Sequence, residues 1–379
     1  MKFVLFYHSL RSDWNHGNAH FLRGVATELL GRGHQVRVFE PRDNWSLANL
    51  LASEGAAALE HFAAAYPDLH SIFYDPRTID LDRELDGADV VIVHEWNERN
   101  LVRRIGRHRQ RCRRYRLFFH DTHHRAVSDP SAMAAFDLSG YDGTLVFGAV
   151  LKSVYEERDW SERAWTWHEA ADVRRFAPQQ ADPDGPRGDL VWVGNWGDGE
   201  RATEISEFLV DPVASLALDA QVYGVRYPQQ ARIALEEAGI AFGGWIPNYV
   251  VPRIFAGFRA TVHIPRAPYR RILPGIPTIR VFEALASGLP LVCAPWDDAE
   301  CLFEAGDYLM ARNGREMKRL LLELLHTPSL ADELAARGRR RILERHTCAH
   351  RVDELLGIVA TLDGQSDADE PREGLRSAL

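Results

Sequence analysis

Cysteine is scarce in this chain. The four residues, Cys112, Cys293, Cys301 and Cys348, stand far apart and form no C-x-x-C pair. That argues against both a disulfide framework and a zinc site. Lysine is nearly absent beside arginine, a usage that carries no functional reading. No apolar run is long enough to span a bilayer, and no basic stretch followed by an apolar one opens the sequence, so a cytoplasmic location is expected. There is no G-x-G-x-x-G after the first predicted strand, so a dinucleotide site is not expected. No convincing D-x-D is present either, and Asp297-Asp298 reads as a loop-shaping pair.

What is present is ample for two ordinary domains. The chain has 379 residues, 46% hydrophobic and 26% charged, as in a soluble globular protein. Its net charge of −9 argues against general nucleic-acid binding. Residues 363–379 are acidic and poor in apolar side chains, and disorder is expected there.

Lys2 to Tyr7 reads as a strand, Ala19 to Arg32 as an amphipathic helix and Gln35 to Glu40 as a second strand. This βαβ unit has one glycine, Gly17, just before its helix. Gly17 is either the minimal device for bringing a backbone up to a phosphate or a plain tight turn. Helical pattern over 47–65, 97–109 and 149–159 alternates with strand candidates at 70–74, 89–94, 116–120 and 144–147. Alternation of this sort predicts a parallel sheet wrapped by helices, with functional groups at the carboxyl ends of strands. Two predicted strands end in polar clusters there, His94-Glu95-Trp96 and His120-Asp121-Thr122-His123-His124. The second cluster lacks companion ligands, so a metal is not expected. The run Arg103–Arg116 is dense in arginine and is either an anion- or membrane-attracting patch or a solvated helix face.

Residues 179–187 are rich in Asp, Pro, Gln and Gly and read as an interdomain linker. The pattern then restarts. Strands are predicted at 189–193, 218–223 and 260–264, with a glycine turn at Gly194-Asn195 and helices between them. Helices at 314–326, 329–345 and 349–362 close the chain. The domains expected are 1–178 and 188–346, with 347–362 a helix packing back on the first.

The most informative stretch is Pro274 to Asp298. Thr278 is placed to cap a helix in which Ile279, Phe282, Leu285 and Ala286 share one face. Gly288 ends that helix, and Leu289 to Ala294 reads as a buried strand. Arg280 in the first turn suits an anion held at the helix start. Glu283, one turn on, suits the hydroxyls of a ribose. The alternative is an Arg280–Glu283 surface pair on an ordinary core helix.

These residues resemble a known family. I-R-V-F-E-A-L-A-S-G-L-P-L-V is similar to the E-A-x-A-x-G-x-P-V-V core of GT-B glycosyltransferases of the retaining, mannosyltransferase and sucrose-synthase-like group. W-H-E-A-A-D-V-R-R-F-A-P resembles that group's interdomain segment. V-W-V-G-N-W resembles the opening of its second domain, and G-G-W-I-P-N its G-x-V-P turn. CgeB-like, spore-maturation-type members are the nearest in pattern, over about residues 1–362.

The resemblance implies two Rossmann-like domains facing across a cleft. It implies transfer of a sugar from a UDP-, GDP- or dTDP-sugar, with retention, without a metal and without a further cofactor, to an unidentified acceptor. It places Glu283 on the donor ribose, His120 beside the transferred sugar and Gly17 at the donor phosphates. Gly194 and Asn195 fall in the donor loop, and Trp245 and Ile246 at the base. The sequence departs from the family where a second glutamate is usual, at Gly275, and in lacking the usual Arg and Lys of the second domain's first loop, where Arg201 is the nearest cation. Rival readings are inversion with His16 or His20 as general base, a nucleotide-sugar 2-epimerase, and a silent binding protein of the same fold. Expected partners are the donor, the acceptor and, through Arg103–Arg116, a peripheral contact with the inner membrane face, but no nucleic acid.

Overall fold

A computed structural model of the chain describes residues 1–197 and 199–369. It contains two wholly parallel sheets. The first comprises β1 (Lys2–Phe6), β2 (Gln35–Pro41), β3 (Ser71–Tyr74), β4 (Val90–His94), β5 (Arg116–Asp121), β6 (Gly143–Val146) and β7 (Ala164–Thr166). Their order is β3-β2-β1-β4-β5-β6-β7. The second comprises β8 (Gly188–Val193), β9 (Ala220–Tyr223), β10 (Ile240–Phe242), β11 (Phe258–His263), β12 (Leu291–Cys293) and β13 (Leu309–Met310), ordered β10-β9-β8-β11-β12-β13.

The apolar runs explain the layers. In β1 the side chains of Phe3 and Leu5 enter one core, and those of Val4 and Phe6 the core on the opposite face. A strand buried on both faces needs such a continuous run rather than alternation. Each sheet reverses its winding direction between two neighbouring strands, β1 and β4 in the first and β8 and β11 in the second. Loops leaving the carboxyl ends of these strands splay apart and open a crevice.

Several elements differ from expectation. The helical stretch at 47–65 is two helices, Trp45–Glu54 and Ala57–Ala65, parted at Gly55, whose φ is 72°. The short strands β7, β10 and β13 had too few residues to show a periodic signal. The helix expected from about Glu200 is Ala202–Ile205, continuing as a π-turn over Ser206–Val210. The last helix, Cys348–Asp369, extends beyond 362, so residues 363–369 are helical rather than disordered; the remainder of the expected tail lies outside the described residues.

That last helix crosses back to the first domain. The Trp167 indole N–H donates to the Arg351 carbonyl at 2.7 Å, and Arg32 pairs with Asp353 at 2.5 Å. Gly24 permits the crossing, because a Cβ there would lie 2.4 Å from Cys348 Sγ.

Candidate active site

The carboxyl ends of both sheets open on one cleft of about 390 Å³. From the first domain, Asp13, Asn15, His16, Gly17, Asn18, Trp45, Trp96, Thr122, His123 and His124 line it. From the second come Trp192 to Asn195, Gly224, Trp245, Ile246 and Asn248, together with the cations Arg201, Arg226, Arg266 and Arg280. Four arginines against one carboxylate, Glu200 at 3.5 Å from Arg266, leave this wall with an excess of positive charge.

The helix Ile279–Ala286 enters this wall by its N-terminus, and Thr278 does not cap it. Its hydroxyl is 3.1 Å from His263 Nε2 instead. Thr278 thus supplies no cap; the Glu169 carboxyl accepts from the Ile279 N–H instead, and Arg280 stands beside this helix start in the cleft. A helix N-terminus with an adjacent guanidinium makes a site for an anion.

Glu283 is fully buried behind Arg280. One carboxylate oxygen takes Arg280, and the other lies 2.9 Å from His20 Nδ1 on the first domain. The Arg280–Glu283 pair read from spacing is present, but it lies inside the protein rather than on a surface. Burial disfavours the charge of Glu283. Arg280 and the His20 hydrogen bond outweigh burial and hold its pKa below the usual carboxylate range. The Asp172 backbone N–H donates to His20 Nε2 at 2.8 Å, so His20 donates to Glu283 through Nδ1. Its lone pair is occupied and its ring buried. His20 is therefore an interdomain bridge, not a general base.

His16 differs. It lines the cleft, and its Nε2 has no partner. Burial, with His8 and Arg23 nearby, holds its pKa well below the ordinary value, so the ring is neutral.

His120 does not reach the cleft. β5 continues through Asp121, and residue 120 is paired in the sheet with both His94 and Leu145. Its ring packs edge-on to Trp167 at 4.9 Å and near Phe21 at 6.0 Å, with no exposure. The expected strand-tip position fails because the strand is longer than its apolar run. The polar residues that do reach the cleft from this loop are Thr122, His123 and His124.

The other candidates divide simply. Gly17 faces the helix Ile279–Ala286: a Cβ on it would meet Ile279 Cγ2 at 3.5 Å, an ordinary contact, so the protein's own packing does not demand glycine. Gly194 is demanded, since a Cβ there would lie 2.7 Å from the Trp192 ring. Asn195 accepts from the Val225 N–H at 2.9 Å and donates to Asn15 across the cleft at 2.6 Å. Trp245 and Ile246 line the cleft. Arg201 sits there too, donating to the carbonyls of Ile264 and Asn195.

Sequence reasoning missed Glu169. It lies after β7, is buried, lines the cleft, and has one carboxyl oxygen without a partner. Burial and then the Glu283 charge push its pKa up to about 8, against the pull of Arg280 and the Ile279 N–H. Glu169 and Glu283 thus share one arginine, one carboxyl neutral and the other ionised. Environments that drive two carboxyl groups apart in this way assign one as acid and the other as anion. The one signal was an acidic residue inside the W-H-E-A-A-D segment.

Much of the arginine run is engaged by the fold. Arg104 donates to carbonyls at Pro76 and Ile79, and Arg109 pairs with Asp142 at 3.0 Å. Among the described residues, one group has metal-ligand proximity, Asp82, His108 and Cys112 on this same face. It lies away from the cleft, and Asp82 is already 3.1 Å from His108 and 3.6 Å from Arg111. Among the described residues no helix is long and apolar enough to cross a membrane.

With this geometry in place, comparison with known proteins is informative. Residues 201–357 match a protein family described as "Glycosyl transferase-like". No curated protein matches the chain. Among solved structures, sucrose-phosphate synthase from Thermosynechococcus elongatus is 14% identical over 96% of this chain and 100% of its own, with a TM-score of 0.63. HepE from Anabaena, solved in complex with UDP, is 12% identical over 95% of this chain and 100% of its own, with a TM-score of 0.66. An alpha-glucosyltransferase solved with UDP and a DNA containing a HMU base is 11% identical over 95% and 99%, with a TM-score of 0.68. These likenesses establish the fold, which is GT-B: two Rossmann-like parallel-sheet domains with a cleft between them.

Proposed function

We propose that the protein is a nucleotide-sugar-dependent glycosyltransferase, with the donor held on the second-domain wall. The observation that carries this is the N-terminus of Ile279–Ala286, which opens into the cleft amid Arg201, Arg226, Arg266 and Arg280. A diphosphate is the ligand such a wall fits. Trp245 and Ile246 are placed for a base, and Gly194 and Asn195 for the donor's path between the domains. UDP in the solved relatives agrees with this reading.

In the transfer, an acceptor hydroxyl oxygen bonds to the anomeric carbon while the bond from that carbon to the diphosphate breaks. The diphosphate leaves with the electron pair, and the helix N–H groups and Arg280 stabilise the charge it gains. Under retention, with no metal required, the acceptor proton passes to a leaving phosphate oxygen. Glu169 stands as a neutral acid that can donate a hydrogen bond into the cleft, and Glu283 holds Arg280. Contact between Glu283 and the donor ribose requires the ribose to replace His20, and hence requires the domains to part. The unpartnered Nε2 of His16 favours a second reading, inversion, in which that nitrogen takes the acceptor proton. The anomeric configuration of the product separates the two.

The test is calorimetric titration with UDP, GDP and dTDP and with the corresponding nucleosides. One diphosphate should bind. Arg280→Gln should weaken it by roughly 10- to 150-fold, the effect of losing a charged hydrogen bond, with little effect on the nucleoside. Failure of all three nucleotides to bind, or indifference to Arg280→Gln, would sink the proposal.

A further inference from the structure

The first-domain wall of the cleft has a composition of its own. Trp45, at the start of the helix Trp45–Glu54, and Trp96, just beyond β4, both line the cleft, with ring centroids 6.4 Å apart and planes 69° to each other. Trp45 is 36% exposed, so part of its ring faces the open cleft. The platform is buttressed. His8 lies 5.0 Å from the Trp45 ring, and the Arg125 guanidinium lies 4.1 Å from the centre of the Trp96 ring while bonded to the buried Glu95.

Around the two indoles are neutral hydrogen-bonding groups. His16 Nε2 and His123 Nδ1 are both without partners, and the two residues line the cleft. Burial keeps both rings uncharged. Asp13, the carboxylate on this side, is neutralised by Arg23 at 2.8 Å. The cations that line the cleft are all on the opposite wall.

We infer that this wall binds the ring of a neutral saccharide, and that the acceptor belongs to that class. The inference rests on the sugar-transfer reading above. A pyranose presents a flat face of C–H groups, which an indole covers well, and a rim of hydroxyls that both donate and accept. Neutral imidazoles can answer either role. An anionic acceptor finds no unengaged cation on this wall among the described residues. Indoles inclined at 69° rather than parallel make a corner for a puckered ring, not a slot for a planar base.

The experiment is saturation-transfer NMR on the full chain with methyl α-D-glucopyranoside, methyl α-D-mannopyranoside and cellobiose, alongside glucuronate and adenosine, with UDP, GDP and dTDP titrated separately. At least one neutral glycoside should receive saturation. Its affinity should fall roughly tenfold in Trp96→Ala and be largely kept in Trp96→Phe, as expected for loss of a ring contact. Trp45→Ala, at a half-open position, provides the same reading if Trp96→Ala does not fold. Saturation of glucuronate or adenosine in place of the neutral glycosides, no glycoside signal, or undiminished binding in the tryptophan variants overturns the inference. Nucleotide binding without glycoside binding rejects the saccharide site and spares the transferase reading. Tryptophan-dependent glycoside binding without nucleotide binding does the reverse.

Discussion

Glu169→Gln isolates the protonation of the buried acid. The ordinary glutamate value is 4.5, and burial with the Glu283 charge raises that of Glu169 to about 8. The folded state therefore holds this proton more tightly than the unfolded chain does. Its contribution to stability is fully present below pH 4.5 and is lost as the pH rises through about 8. The gap corresponds to at most about 4–5 kcal/mol, and rotation of Arg280 toward Glu169 reduces it, so about 2 kcal/mol is a reasonable floor. Glutamine has the size of the neutral acid and cannot ionise. At pH 4.5 and below the variant should melt close to wild type, and its advantage should build as the pH rises from 4.5 to about 8. At pH 9 it should melt higher by several degrees, at about 2 °C per kcal/mol. All other titrating groups are common to both proteins, so the difference between their melting curves reports this one. Donor hydrolysis should lose its alkaline limb in the same variant, falling about tenfold per pH unit above 8 in wild type only. Identical melting of the two proteins from pH 6 to 9 would refute the assignment of Glu169 as a neutral acid.

Three further outcomes are expected. His120→Ala should cost about 2–4 kcal/mol of stability through the cavity it leaves and leave nucleotide affinity unchanged; normal melting with abolished turnover would return His120 to the reaction. Burial lowers His8 to about 4 and His120 and His123 to about 3, from 6.5. Neutral histidines of this kind contribute stability above pH 6.5 that is lost as pH falls toward 3–4, so the melting temperature should begin to decline below about 6.5; a flat profile down to pH 5 would contradict it. Donor turnover should survive EDTA, because the three-ligand cluster found among the described residues, Asp82, His108 and Cys112, is remote from the cleft; loss of activity restored by Mg²⁺ would show otherwise.

The parallel sheets were legible because their central strands carry unbroken apolar runs, and the helix Ile279–Ala286 because its apolar spacing and its terminator Gly288 lie within a few residues of each other. The edge strand β7 was not legible. It has three residues, and its pairing with β6 is decided by distant packing. The site was half legible for the same reason. Arg280 and Glu283 share a helix, so spacing joined them. The partners that define their chemistry, His20 and Glu169, come from other parts of the chain and meet them only where the two domains pack together. His120 was misplaced because an apolar run does not reveal that pairing with both neighbours carries a strand one residue further.

The departure at Gly275 then has a physical meaning. Its φ is +84°, a left-handed conformation, and a Cβ there would lie 2.6 Å from Glu300 Cγ. A glutamate there would be strained and would have to displace the Glu300 side chain. Nor does Glu300, which fills the space, serve as a substitute: it accepts from the Ala149 N–H at 2.8 Å and lies 3.1 Å from His168 Nε2, both on the first-domain side. The carboxyl group that sits beside Glu283 is instead Glu169, carried in by the segment that leads out of the first domain. This changes its chemistry. In the proposed transfer, an ionised carboxyl group at position 275, just before that helix, would repel the diphosphate held at the helix start. A carboxyl group beside an already ionised Glu283 stays protonated and adds a donor where negative charge collects. Arg280 alone links the two, so its removal should unbalance both, leaving Glu283 without its main counter-charge and Glu169 more firmly neutral.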